Sequence, residues 1–117
     1  MESGVSAADA RDPVAGNAAT LDRLRAEVDR IDLALLRLVE RRGRVVEHIL
    51  EVKDAAGWPV RNELRERQLL SRLQNLYSGP YRWSDVRRLF DVLLQISLGL
   101  QVESRARREA RTHDGRG

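Results

Sequence analysis

The sequence predicts an all-α chain of three helices, the first of them long, that pairs with a second copy of itself. Three observations carry this. Apolar residues recur at Leu21, Leu24, Val28, Ile31, Leu35 and Leu38, three and four apart in turn, and resume at Val45, Ile49 and Val52; this is a heptad seam. No stretch alternates apolar and polar residues with the period of a strand. The seam helix covers roughly 36 residues, about 54 Å at 1.5 Å per residue, whereas a compact chain of this length is only about 35 Å across. A helix that overhangs its own globule needs a second chain to cover its seam, so a helical dimer is expected.

Each element has a start and a stop. Residues 1–19 hold Gly, Pro, Ala and Asp without periodicity and read as a disordered lead. Thr20 is the expected N-cap of the first helix. That helix runs to about Ala56 and stops at Gly57, with Pro59 beyond. Asn62, a favourable N-cap, opens the second helix. Leu69, Leu70, Leu73 and Leu76 follow before Ser78, Gly79 and Pro80 break it. Ser84 and Asp85 open the third, with Val86, Phe90, Leu93 and Leu94 on one face, and it is expected to fade soon after Gln101. The expected organisation is a helical domain over 20–104 and an Arg-rich flexible tail over 105–117.

Composition narrows the chemistry. At 117 residues the chain is one domain at most. It has no cysteine, hence no disulfide framework, thiolate metal site or cysteine nucleophile. His48 and His113 are too far apart in sequence to suggest zinc. The first twenty residues contain no apolar run, so neither a signal peptide nor a membrane span is expected, and a cytoplasmic setting follows as the default. A net charge of +3 and a pI near 10.1 point to an anionic partner. Yet 18 acidic residues are interspersed with the basic ones, and only residues 105–116 are mostly basic. A small anion fits this better than nucleic acid.

Several polar residues occupy apolar faces. The seam calls for an apolar residue at 42, where Arg42 stands. An arginine in a buried seam needs an anion, unless it snorkels to the rim or meets a partner-chain carboxylate. Lys53 is the only lysine among 21 Lys and Arg residues, which hints that a compact ammonium is wanted there. It follows Arg42 by eleven residues, about 1,100° of helix and within about 20° of three full turns. The two cations therefore face the same way, roughly 16 Å apart, and describe a pocket for a small polyanion. Arg25 lies about 42 Å from Lys53 along the helix; it cannot serve the same site in one chain but can serve a partner's in an antiparallel dimer. On the third helix Ser97 and Gln101 continue an apolar face at i, i+4 spacing, as pocket wall or as a satisfied buried pair. Arg65 and Glu66 open the second helix, where an exposed ion pair is the ordinary explanation.

The stretch L-R-A-E-V-D-R-I-D-L-A-L-L-R-L-V-E-R-R, then E-V-K, then G-W-P-V-R-N-E-L-R-E-R, and finally L-L-Q-I-S-L-G-L-Q, resembles the all-α-helical chorismate mutases in order and spacing from Leu21 to Gln101. The resemblance implies an intertwined homodimer of three-helix chains with two composite sites and no cofactor or metal. Carried over by position, it implies that Arg25 of the partner chain, Arg42 and Arg65 bind the substrate carboxylates. Lys53 and Gln101 donate to the ether oxygen, Glu66 contacts the ring hydroxyl, and Ser97 lines the pocket. Asn62 stands where a relative has aspartate and would contact the hydroxyl partly through its backbone. Leu50 stands where glycine is common and is expected to reshape one pocket wall.

The implied reaction is the unimolecular [3,3] rearrangement of the dianion chorismate to prephenate, which calls for no nucleophile, metal or general base. Two alternatives stand beside it. One is a 4-amino-4-deoxychorismate mutase of specialised metabolism, since Glu66 could face an amino group as well as a hydroxyl. The other is a non-catalytic helical dimer binding nucleic acid through its Arg tail, which leaves Arg42, Ser97 and Gln101 unexplained.

Overall fold

A computed structural model describes residues 13–116 of the chain. Three helices follow one another, α1 (Pro13–Ala56), α2 (Glu63–Leu76) and α3 (Trp83–Arg116), and no strand occurs among the described residues. The all-α reading holds. Among the described residues, no helix is long and apolar enough to cross a membrane.

α1 begins at Pro13, well ahead of Thr20. A proline at the first helical position lacks only an N–H that would be unsatisfied there anyway, and Ala15, Ala18 and Ala19 extend the helix with the best intrinsic former. Residues 13–19 are thus helix and not a disordered lead, while the rest of the expected lead, residues 1–12, lies outside the described residues.

The end of α1 is a Schellman cap. Gly57 sits in the left-handed region at φ 71°, which a side chain would make costly. Its N–H donates to the Asp54 carbonyl at 3.3 Å, and the Trp58 N–H reaches the Lys53 carbonyl at 2.8 Å. This turn fixes the backbone of Lys53. Asn62 then caps α2, its side chain accepting from the Arg65 N–H at 3.0 Å. Beyond α2, the Tyr77 hydroxyl donates to the Tyr81 carbonyl at 2.8 Å. A Cβ at Gly79 would lie 2.7 Å from that hydroxyl oxygen, so a side chain there would push the Tyr77 ring aside.

α3 does not fade after Gln101 but continues to Arg116, so residues 105–116 of the expected flexible tail are helical, while residue 117 lies outside the described residues. There Arg105 and Arg108, one turn apart, both pair with Asp54 on α1.

The structure divides after Glu40. In the first unit, the α1 seam residues Leu24, Val28, Ile31, Leu35 and Leu38 are all more than half exposed. In the second, from Arg41 onward, α2 and α3 pack together, and Val46 and Leu50 of α1 are buried at 8% and 0% exposure. The seam residues Val45, Ile49 and Val52 stay exposed there. The stripe of α1 buried within the chain is therefore offset from the heptad seam. Leu50 belongs to this core and is not among the cavity-lining residues, which corrects the expectation that it reshapes a pocket wall.

Candidate active site

A cavity of about 340 Å³ lies within the second unit, among α1, α2, α3 and the segment joining α1 to α2. Its wall includes Arg42, Lys53, Asn62, Arg65, Glu66, Ser97 and Gln101. Seven of the eight residues singled out from the sequence are thus brought together. The eighth, Arg25, sits in the first unit and is not among the lining residues.

The polar groups are held by one another. The Arg42 guanidinium donates through Nη1 to the Ser97 hydroxyl, and that hydroxyl donates to the Leu93 carbonyl at 2.6 Å. The single Ser97 proton is committed to its own helix, so Ser97 acts on Arg42 as an acceptor. Lys53 Nζ donates to the Val60 carbonyl and, at 3.0 Å, to Gln101 Oε1. An ammonium has three N–H groups, so one remains for a ligand. Gln101 Nε2 donates back to the Ser97 carbonyl at 3.3 Å, which again leaves one N–H. Burial of the ammonium and the nearby Arg105 charge hold the Lys53 pKa below the ordinary lysine value, while Glu66 acts in the opposite direction.

Glu66 is not paired with its neighbour Arg65. Its carboxylate takes Arg61, with Nε 3.3 Å from Oε2 and Nη2 3.4 Å from Oε1. Arg61 lines the cavity too and went unremarked in the sequence, although it falls inside the stretch carrying the resemblance. Its place just before the Asn62 cap, five residues ahead of Glu66, is the signal that could have found it. The arrangement presents four cations, Arg42, Lys53, Arg61 and Arg65, against one carboxylate, Glu66. Two neutral hydrogen-bonding side chains complete it on α3. It suits a small anionic ligand.

The model of the family described as chorismate mutase type II matches residues 24–102. The chain belongs to this family. A solved chorismate mutase (Form II) from Thermus thermophilus is similar over 70% of this chain and 93% of its own, at 34% identity and a TM-score of 0.68. Form I from the same organism is similar over 67% of this chain and 98% of its own, at 33% identity and a TM-score of 0.65. A bifunctional chorismate mutase/prephenate dehydratase from Aquifex aeolicus is 29% identical over 69% of this chain. The chain spans about a quarter, 24%, of that bifunctional relative's length. Arg105 and Arg108, which anchor the extension of α3, lie beyond the segment that the chorismate mutase type II model covers.

Proposed function

We propose that this chorismate mutase family member catalyses the rearrangement of chorismate to prephenate. The observation that carries the reading is the facing pair Lys53 and Gln101, each with an N–H left for a ligand, in one cavity with Arg42 and Arg65.

The reaction is intramolecular, so two physical tasks suffice. Arg42 and Arg65 hold the two carboxylates so that the enolpyruvyl arm folds over the ring in a chair-like pose, replacing a search through conformers with a prepaid geometry. The remaining N–H groups of Lys53 and Gln101 meet the negative charge that grows on the ether oxygen as its bond to the ring breaks. Both are fixed beforehand by other hydrogen bonds, and such preorganisation is what makes electrostatic stabilisation effective. Glu66, oriented by Arg61, accepts from the ring hydroxyl, with the Asn62 backbone close by.

A second copy completes the site. Arg25 comes from the partner chain, and the exposed seam of α1 becomes the dimer interface. Support comes from the run of half-exposed Leu, Ile and Val residues at heptad spacing, which a partner helix would bury. A cytoplasmic setting belongs to the same reading, because the substrate is a dissolved dianion.

The Arg61–Glu66 pairing favours chorismate over its 4-amino-4-deoxy analogue: a guanidinium already neutralises Glu66, so an added ammonium there would be repelled. Arg105 and Arg108 are engaged with Asp54, which weakens the case for a nucleic-acid-binding tail. Incubating the purified protein with chorismate, beside a parallel sample with 4-amino-4-deoxychorismate, tests the reading; consumption of the amino compound alone would refute it.

A further inference from the structure

We infer that Asp54, Arg105 and Arg108 form a clasp that positions Lys53 against Gln101, making the extension of α3 a working part of the active site. The inference rests on the reading of Lys53 and Gln101 given above.

The geometry is specific. Arg105 Nε donates to Asp54 Oδ1 at 2.7 Å, and Arg105 Nη2 reaches the Trp58 carbonyl at 3.0 Å. Arg108 Nη1 donates to Asp54 Oδ2 at 2.7 Å, and its Nη2 lies 3.7 Å from Glu51. Both carboxylate oxygens of Asp54 are thereby held by arginine. The pairs are only partly exposed, with side-chain accessibilities of 26% for Arg105, 34% for Arg108 and 27% for Asp54. They are better shielded than an ordinary surface ion pair, whose contribution is small.

Their place in the sequence ties them to the donors. Asp54 directly follows Lys53, and Arg105 lies one helical turn beyond Gln101. The clasp therefore pins α1 to α3 one step past the residues that must meet across the cavity. The Trp58 carbonyl belongs to the residue whose N–H closes the Schellman cap on the Lys53 carbonyl, so Arg105 also ties down the turn leading to Val60. Val60 supplies the other acceptor of the Lys53 ammonium. Both fixed hydrogen bonds of Lys53 thus depend on backbone or helix placement that the clasp sets. Burial alone would raise the Asp54 pKa. Hydrogen bonds from Arg108 and Arg105, with their charges, outweigh it and hold the carboxyl below its ordinary value. The clasp is accordingly closed throughout the neutral range.

Asp54, Arg105 and Arg108 are positioning residues and touch no substrate. A displaced donor near the reacting atoms can cost up to a hundredfold in rate. In the full-length chain, Arg105→Met and Asp54→Asn should each lower kcat on the order of ten- to a hundredfold with KM little changed. The double variant should be no worse than the poorer single one, because both open the same clasp. Arg108→Met, which leaves Arg105 in place, should fall between these and the unaltered protein, and it carries the test if Arg105→Met does not fold.

A second readout does not depend on turnover. Lys53 is the only lysine, so 15N-lysine labelling yields a single side-chain ammonium resonance. Its two fixed acceptors should protect it from water exchange in the unaltered protein. In Arg105→Met or Arg108→Met it should broaden while helix content stays constant. An unaltered Lys53 resonance in these variants, or kinetic losses that simply add in the double variant, would overturn the clasp. Failure of the unaltered protein to convert chorismate would count against the assigned reaction, and the resonance would still decide the clasp.

Discussion

Lys53 and Gln101 meet across the cavity with Nζ 3.0 Å from Oε1. The amide oxygen takes one ammonium proton, the Val60 carbonyl takes a second, and the third is left over. A lysine fits because its three donors radiate from one compact atom. Arginine would carry a planar fork into a space already bounded by these two acceptors. Lys53→Ala should lose a hundredfold or more in kcat, about 3 kcal/mol, the usual consequence of removing one preorganised donor. Lys53→Arg should also be badly impaired. Near-normal turnover by Lys53→Arg in steady-state assays would show that charge alone is required.

The pH dependence follows from the same ammonium. Burial first, and the Arg105 charge second, depress the Lys53 pKa, with Glu66 opposing. In the proposed mechanism the protonated form is the donor, so activity should be retained below that pKa and lost above it. The kcat/KM profile should stay flat through neutral pH and fall on an alkaline limb centred below the ordinary lysine value of about 10.4. A bound dianion favours the charged ammonium, so the kcat limb should lie at higher pH than the kcat/KM limb. A profile that collapses above about pH 6 would contradict neutral Gln101 as co-donor.

Ser97 acts through Arg42. Its proton is committed to Leu93, and its oxygen receives the guanidinium. Ser97→Ala should therefore loosen carboxylate binding and raise KM by roughly tenfold, about 1.5 kcal/mol, the lower range for a hydrogen bond to a charged group. kcat should change less, because carboxylate binding is common to the ground and transition states. A fall in kcat at constant KM would place the hydroxyl in the chemistry itself.

The proposed composite site makes a subunit prediction. Arg25→Ala and Lys53→Ala should each be nearly inactive as homodimers. Unfolded together and refolded, they should form heterodimers in which one of the two sites carries neither substitution, and activity should reappear. Absence of recovery, with heterodimers verified by mass, would confine each site to one chain.

Much of the fold was legible because its signals are local. The Gly57 stop, the Asn62 cap and the shared facing of Arg42 and Lys53 all follow from helix geometry over a few turns, as does the Ser97–Gln101 spacing. Tertiary effects were hidden. Arg105 and Arg108 meet Asp54 from 51 and 54 residues away, and no periodicity reports that. Arg61, not Arg65, orients Glu66, since the choice between two nearby arginines is made by how the chain enters α2. Leu50 reads as a departure near the lysine but packs as the most buried side chain of the core. Thr20 satisfies the preferences of a cap, yet Pro13 and the alanines after it carry the helix through.

The most direct measurement is the rate at which purified, full-length protein consumes chorismate, followed by the fall of its absorbance with prephenate identified as product. Conversion that is saturable, abolished in Lys53→Ala and much slower with 4-amino-4-deoxychorismate is the expected result. An unaltered protein that leaves chorismate intact, or converts only the amino compound, would contradict it.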